Sequence, residues 1–485
     1  MTPNFLSPRY NRTPDTLHRI HLLGICGTGM ASLAGMLKSM GYQVTGSDEN
    51  VYPPMSTFLR SLNIAVFEGY DPAHLEPFPD LVIVGNVIRR ENPEAQALWR
   101  LKLPYLSFPQ ALRRFALSGK QTVVITGTHG KTTTSAIAAW IMEKAGMDPG
   151  FMIGGIPRNF EKNYKLGSGP WFVLEGDEYD TAFFDKGPKF LHYKPQAVIL
   201  TSIEFDHADI YKDLDHVIES FRKLIALVPP DGVIIANGDD PVITEEVKRA
   251  KCRVEKYGLA HHNPGPDLWR AIQGEVQDGL TRVNILRGNQ AYLDVLTPLY
   301  GRHNISNLLS TVVLAGFLNI PRPHLKDALQ TFGGVKRRQE VIGKQGDITV
   351  LDDFAHHPTA VRETVRAVRE RYSGRLITVF EPRSNSSRRN IFQDRYAASF
   401  DAADRVMIPK PPLTDMIPES QRFSSPRLVQ DLKKRGVEAL YFDGTEDLLS
   451  ALIQTVRSGD IVLFMSNGEF AQLPKRLLAG LTGAH

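Results

Sequence analysis

The chain has 485 residues, and its 57 basic and 53 acidic side chains nearly cancel, leaving a formal net charge of +4. Basic runs such as Lys336-Arg337-Arg338 reach only three residues, which argues against a nucleic-acid binder, since such proteins gather their charge into runs and patches. A chain of this length exceeds what one hydrophobic core fills, so roughly two to four domains are expected.

Cys26 and Cys252 are the only cysteines, too few for a disulfide framework or a conventional zinc site, and they fit a reducing compartment. The N-terminal segment is polar and punctuated by proline, without the apolar stretch of a secretory signal. No segment approaches the run of about 18 apolar residues that spans a membrane. A soluble cytoplasmic enzyme without a membrane or nucleic-acid partner is the expectation.

Short β-branched runs alternate with helical patterns in three successive blocks, the signature of α/β layers built on parallel strands. The first block opens with RIHLLG (19–24), followed by glycines and the helical MASLAGMLKSMG; QVTGSD ends at Asp48, and LVIVGN (81–86) is a later strand. The second opens with TVVITG (122–127) and a helix from Lys131 to Ala145, then WFVLEGD (171–177), AVILTSI (197–203) and GVIIANGDD (232–240). Residues 250–300 alternate in hydrophobicity and predict strands and turns, followed by a helix from Asn304 to Leu318. The third block starts near Gly333-Gly334, with strands ITVLDD, RLITVFEP, RVMIP and DIVLFMSNG. The expected fold class is α/β in three domains: Rossmann-like over 1–118, a P-loop-type ATPase over 119–332 and Rossmann-like over 333–485.

The most specific segment is GTHGKTTT, between a strand and a helix. Nucleotide phosphates need backbone N–H donors, a helix N-terminus and a cation close together. Gly127 and Gly130 let the backbone approach, Lys131 supplies charge and Thr132 can offer its hydroxyl to Mg²⁺; Thr128, His129 and Thr133 complete the loop. Only two residues separate Gly127 from Gly130-Lys131, where the common P-loop has about four. An ordinary capped turn is the alternative, weakened by the apolar strand before it and the apolar helix after.

Two acidic clusters follow the next strands: Glu175, Asp177, Glu178 and Asp180, then Glu204, Asp206, His207 and Asp209. Ligands of open parallel sheets bind at these strand ends, and Glu175 has the hard oxygen that Mg²⁺ prefers. His207 is a softer ligand, better suited by residue type to loop structure or acid/base work. In the first block GICGTGM spaces its glycines as Gly24, Gly27 and Gly29, with Asp48 twenty-one residues beyond Gly27. This is a variant of the dinucleotide fingerprint; an NAD(P)-binding oxidoreductase or sensor, or plain strand–helix packing, are its other readings.

GTHGKTT, EGDEYD and EFDH, together with GRHNISN, KRRQE and DDFAHHPT, resemble the Mur ligase family over nearly the whole chain. GICGTGM and the HHPT segment look like the branch acting on UDP-N-acetylmuramate. Within it, GSDENVYPPMSTFL, GNVIRRENPE, EYDTAFFDKGPKF, EPRSNSSRRN and MSNGEF look like ligases that attach a recovered tripeptide, and less like those that add L-alanine. The resemblance implies ATP and Mg²⁺ as cofactors, and UDP-N-acetylmuramate and a peptide amine as partners. It implies that Gly24, Gly27, Thr28, Gly29 and Met30 hold the UDP diphosphate, with Asp48 nearby. Lys131 and Thr132 would bind ATP phosphates and metal; Lys131, Glu175 and His207 form the expected catalytic set, with Thr132, Glu175 and His207 at the metal. His303 and Asn304 would face adenine, Arg338 the phosphates and Asp353 the ribose or γ-phosphate, with His356 and His357 beside it on the substrate side. Several members carry a carbamylated lysine about where Arg222 stands, which Arg222 cannot imitate.

Overall fold

The structure, a computed structural model, describes residues 7–208, 210–259, 267–415 and 417–482; Asp209, one of the expected acids, lies outside them. Three large sheets and a two-stranded hairpin organise these residues. The first has five parallel strands in the spatial order Ala65–Glu68, Gln43–Asp48, Arg19–Leu23, Leu81–Val84, Tyr105–Ser107. The chain leaves Arg19–Leu23 in one direction and later returns on its other side, so a crevice opens where GICGTGM follows that strand.

The middle sheet has ten strands, and its centre is Pro195–Leu200, Gln121–Thr126 and Trp171–Gly176 side by side. The two flanking strands run parallel to the central one, with Ile125 opposite both Ile199 and Glu175. Both acidic loops therefore emerge beside the glycine loop. Each of these strands is apolar almost throughout because helices cover both faces. Residues 269–297 form strands and turns, as their alternation predicts: Trp269–Gln277, Leu280–Arg287 and Gln290–Thr297 build an antiparallel meander at one edge. Its turns are too short for the crossover that parallel pairing requires.

The third sheet has six strands in the order Glu340–Gln345, Ile348–Asp353, Ile461–Met465, Leu376–Phe380, Arg405–Pro409, Glu438–Phe442. All its pairings are parallel except the first. The strands at 65–68 and 438–442, the hairpin Asp180–Ala182/Asp185–Pro188 and the helix Leu214–Leu227 add to the elements anticipated from the sequence. No helix among the described residues is long and apolar enough to cross a membrane.

Tyr164 of the middle sheet lies against the helix Thr28–Ser39 of the first, so close that a side chain at Gly35 would collide with its hydroxyl. Phe58 meets the same ring edge-on at 6.1 Å. On the opposite face of the middle sheet, the helix Arg302–Phe317 buries Leu308 and Leu309 completely. We predict that Leu308→Ala lowers stability by about 2–5 kcal/mol through lost burial and a residual cavity. Urea unfolding followed by tryptophan fluorescence measures this, and an unchanged transition would contradict the packing described.

Candidate functional site

The chemistry gathers where Gln121–Thr126 ends. Gly127 and Gly130 both take positive φ, +130° and +82°, a region open to glycine at little cost. Gly130 caps the helix Lys131–Lys144 without a side-chain bond. The N–H groups of the first turn thus lack a side-chain acceptor, as an anion site at a helix start requires. The loop is tied to the neighbouring strand end: Thr128 N–H donates to Ser202 O (2.9 Å), His129 N–H to Ser202 Oγ (3.0 Å) and Glu204 N–H to Thr128 Oγ1 (2.8 Å). Thr201 Oγ1 donates to His129 O at 2.5 Å.

Lys131 Nζ lies 2.6 Å from Gly127 O and 3.1 Å from Glu178 Oε2. Burial disfavours its charge, but Glu178, Asp177 and Glu175 outweigh that and hold its pKa above the ordinary lysine value. Thr132 Oγ1 donates to Glu175 Oε2 (3.2 Å) and receives Arg338 Nη2 (3.1 Å), while Gly154 N–H reaches Glu175 Oε1 (2.6 Å). Burial and the charge of Asp177 push the Glu175 carboxyl above its usual range, against the opposing pull of Arg338 and Lys131. A hydroxyl touching a buried carboxylate of this kind fits a hard divalent cation, whose charge would relieve that strain.

His207 differs from the expected arrangement. Its backbone is left-handed (φ +53°), and its Nε2 faces Glu178 Oε1 at 3.3 Å; no direct contact with Glu175 or Thr132 occurs among the described contacts. Burial opposes the imidazolium, yet Glu178 and Asp206 outweigh it and raise the His207 pKa. Glu178 thus holds both Lys131 and His207. Residue type gave it no distinction from its acidic neighbours; only its position on the strand-end loop selects it. The other acids of that cluster divide similarly, Asp177 with Lys189 at 3.1 Å and Asp180 with Lys186 at 2.7 Å. Arg222 forms a bidentate pair with Glu246, both bonds 2.7 Å, on a half-exposed helix face.

The third sheet reaches the site through several contacts. Glu204 Oε2 accepts Thr359 Oγ1 (2.9 Å) and Arg395 Nη2 (3.1 Å), and Asp206 Oδ1 accepts Ser386 Oγ (2.7 Å). His129 Nε2 stands 3.4 Å from Glu204 Oε1, and the rings of His129 and His357 are 4.6 Å apart. His357 is 2% exposed and accepts Thr359 N–H on Nδ1 (3.3 Å), capping the helix Pro358–Arg371. Burial, then the neighbouring His129, push its pKa down to about 3. His357, expected beside the substrate, is therefore a neutral cap in the seam between sheets. His356 is neutral for the first of those reasons, burial, and its Nδ1 meets Phe354 O at 3.0 Å.

Two expected ligand-facing acids accept backbone N–H groups. Asp353 accepts Gln339 N–H and Ala355 N–H, each at 2.7 Å. Asp48 accepts Cys26 N–H (2.8 Å) and Asn50 N–H (2.9 Å), so its oxygens shape GICGTGM from beneath. In that loop Gly24 has φ +76°, Gly27 caps the helix Thr28–Ser39 with no side-chain bond, and Gly29 lies against Phe108. The Met30 side chain is buried in the core, leaving its backbone to the open helix start with Thr28. A pocket of about 180 Å³ is lined by Thr133, Asn304, Phe332, Arg338 and Gln339 among others. Asn304 Nδ2 donates to Gln339 Oε1 at 2.8 Å. His303 is not among the lining residues; its Nδ1 is buried without a partner, and burial lowers its pKa.

The chain matches the Mur ligase family, catalytic domain, over residues 19–120, the Mur ligase middle domain over 125–315, and the Mur ligase, glutamate ligase domain, over 337–468. It is 40% identical over 466 residues to the UDP-N-acetylmuramate–L-alanyl-gamma-D-glutamyl-meso-2,6-diaminoheptandioate ligase of Escherichia coli, covering 96% of this chain and 98% of the relative. The UDP-N-acetylmuramate–L-alanine ligase of Clostridium perfringens is 29% identical, with 96% and 98% covered. Among solved structures, a murein peptide ligase from Psychrobacter arcticus superposes with a TM-score of 0.72 at 33% identity, over 96% of this chain and 99% of that one.

Burial costs Glu178, but Lys131 and His207 outweigh it and hold its carboxyl down to about 2, from an ordinary 4.5. A depressed carboxylate contributes stability above its unfolded pKa and loses it as the pH falls through the folded one. The thermal midpoint should therefore drop between pH about 4.5 and about 2 in part because of this group. Glu178→Gln should be less stable at neutral pH and show a shallower acid limb; an identical pH profile would remove the coupling.

Proposed function

The chain belongs to the Mur ligase family, and on that premise we propose that it is the ATP-dependent ligase joining UDP-N-acetylmuramate to the tripeptide L-alanyl-γ-D-glutamyl-meso-diaminopimelate. This would return recovered wall peptide to peptidoglycan synthesis. The observation that carries the choice of acceptor is the 40% identity to a relative named for that tripeptide, against 28–32% for those named for L-alanine. An oxidoreductase reading of GICGTGM leaves the Lys131 cradle and its paired acids without a task.

We assign residues 1–118 to sugar-nucleotide binding, 119–332 to ATP and 333–485 to the closing domain. The glycine loop at 24–29 would take the diphosphate on its open helix start. ATP would lie with its phosphates over Gly127–Thr133 and its base toward the pocket of Asn304. Thr132 and Glu175 would hold Mg²⁺, whose charge offsets that gathering on phosphoryl oxygens, with His207 at the edge of this set.

The lactyl carboxylate attacks the γ-phosphate, giving an acyl phosphate and ADP. Both partners are anions, so the barrier is dominated by repulsion and by charge on the transferring group. Lys131 and Arg338 face that charge from inside a buried site, where fixed cations act most strongly. The peptide amine then attacks the acyl carbon and phosphate departs. The amine must lose a proton, and His207 suits this poorly because Glu178 favours its charged form. His357 spends Nδ1 on its cap. His356 is neutral and directs Nδ1–H to Phe354 O, which leaves the Nε2 lone pair available; we assign the base to it.

Lys131→Ala should lower kcat by about 10² to 10³ or more, the usual effect of removing a transition-state donor. The decisive assay is ADP release with UDP-N-acetylmuramate and a panel of the tripeptide, L-alanine and other amines, read by product mass. Wild-type protein that consumes no ATP with any acceptor would sink the reading, and a clear preference for L-alanine would move it to the other branch. His356→Asn should depress turnover and remove the limb of the pH–rate profile set by a group below the ordinary histidine value, with KM for ATP unaltered; an unchanged profile would clear His356 of the role.

A further inference from the structure

The hairpin Asp180–Ala182/Asp185–Pro188 belongs to the middle part of the chain but fastens to the first sheet. Ser107 Oγ donates to Asp185 Oδ2 at 2.6 Å, and the same carboxylate oxygen faces His192 Nε2 at 3.1 Å. Lys189 follows directly after this hairpin. Its Nζ lies 3.1 Å from Asp177 Oδ2, 4.1 Å from the Tyr179 ring centroid and 5.5 Å from the Phe108 ring centroid.

Those neighbours connect two anion sites. A side chain at Gly29 would approach the Phe108 ring to 3.3 Å, so Phe108 borders the open helix start of the first sheet. Asp177 adjoins Glu178, which holds Lys131. Lys189 thus shares a neighbour with the glycine loop expected to take a diphosphate, through Phe108, and adjoins through Asp177 the acidic loop that holds the lysine expected to take a γ-phosphate. A molecule spanning the two carries negative charge at both ends. An ammonium has three donors, and Asp177 is the one group that accepts from it among the described residues. The remaining N–H directions face aromatic surfaces, where a cation is held without being neutralised.

We propose that Lys189 is an anion-binding residue for the sugar nucleotide, positioned by Asp177 and Tyr179, and contacting the diphosphate or the lactyl carboxylate of that substrate. The proposal rests on the ligase reading. Asp177 aims the ammonium and Tyr179 shields one side of it, so an incoming anion gains a charge-assisted bond in a largely enclosed place.

The test compares Lys189→Met and Lys189→Arg with wild type by calorimetric binding of UDP-N-acetylmuramate and by steady-state kinetics. Loss of a charged hydrogen bond should weaken UDP-N-acetylmuramate by about 10- to 100-fold in Lys189→Met. KM for ATP and the thermal midpoint should stay near wild type, and Lys189→Arg should recover much of the affinity. Competition by UDP-N-acetylglucosamine, which has the diphosphate but lacks the carboxylate, separates the two sources. Weakening of both ligands assigns Lys189 to the diphosphate, and weakening of the muramyl compound alone assigns it to the carboxylate. Unchanged binding in Lys189→Met overturns the proposal, as does a loss that extends equally to ATP and that arginine fails to rescue. The binding comparison is independent of turnover, so a wild type that binds the sugar nucleotide without ligating it would refute the ligase reading separately.

Discussion

A lysine ammonium enclosed beneath a phosphate loop must have an anion, because burying an uncompensated charge costs far more than folding can supply. Lys131 has Glu178, and Glu178 is shared with His207. This three-way contact links the central strand's loop to both flanking acidic loops, and it places the cation where the helix Lys131–Lys144 begins. Thr132, one residue on, is thereby directed at Glu175 and Arg338. The same carboxylate that raises the His207 pKa favours its protonated form, which leaves it less free to take a proton and is why we assign proton transfer to His356.

The seam with the third sheet is built on the same economy of shared acids. Glu204 serves His129 of the phosphate loop together with Thr359 and Arg395 from the other side, and Asp206 receives Ser386. Arg338 spans the same gap to Thr132. These contacts tie the loop that would hold triphosphate to the third sheet, and in the proposed reaction such a cover would keep water from the acyl phosphate. The hairpin after Tyr179 does the corresponding work toward the first sheet, through Ser107 and Asp185.

Much of this was legible in the residues. Strands such as Gln43–Asp48 and the helix from Lys131 stand where the apolar patterns placed them, since a buried parallel strand admits little besides apolar residues. The glycine loops stand out because only glycine takes φ +130° or +82° at little cost, as Gly127 and Gly130 do. Glu175 was identifiable from its place at a strand end. The meander at 269–297 was recognisable as strands and turns, and the structure adds its antiparallel pairing.

What the sequence could not supply was direction. Asp48, Asp353 and His357 sit in the segments expected, but each accepts backbone N–H groups, Asp48 that of Cys26, Asp353 that of Gln339 and His357 that of Thr359, a choice between backbone and ligand that composition leaves open. Glu178 was one acid among four until the fold set it against Lys131, and Lys189 had no distinction until the hairpin carried it to Phe108 and Tyr179. Local order by itself determined the strands, the glycine turns and the family likeness, because backbone sterics and burial are read over a few neighbouring residues. Charge partners were decided only by tertiary structure, because which acid meets which cation depends on strands far apart in the chain arriving side by side.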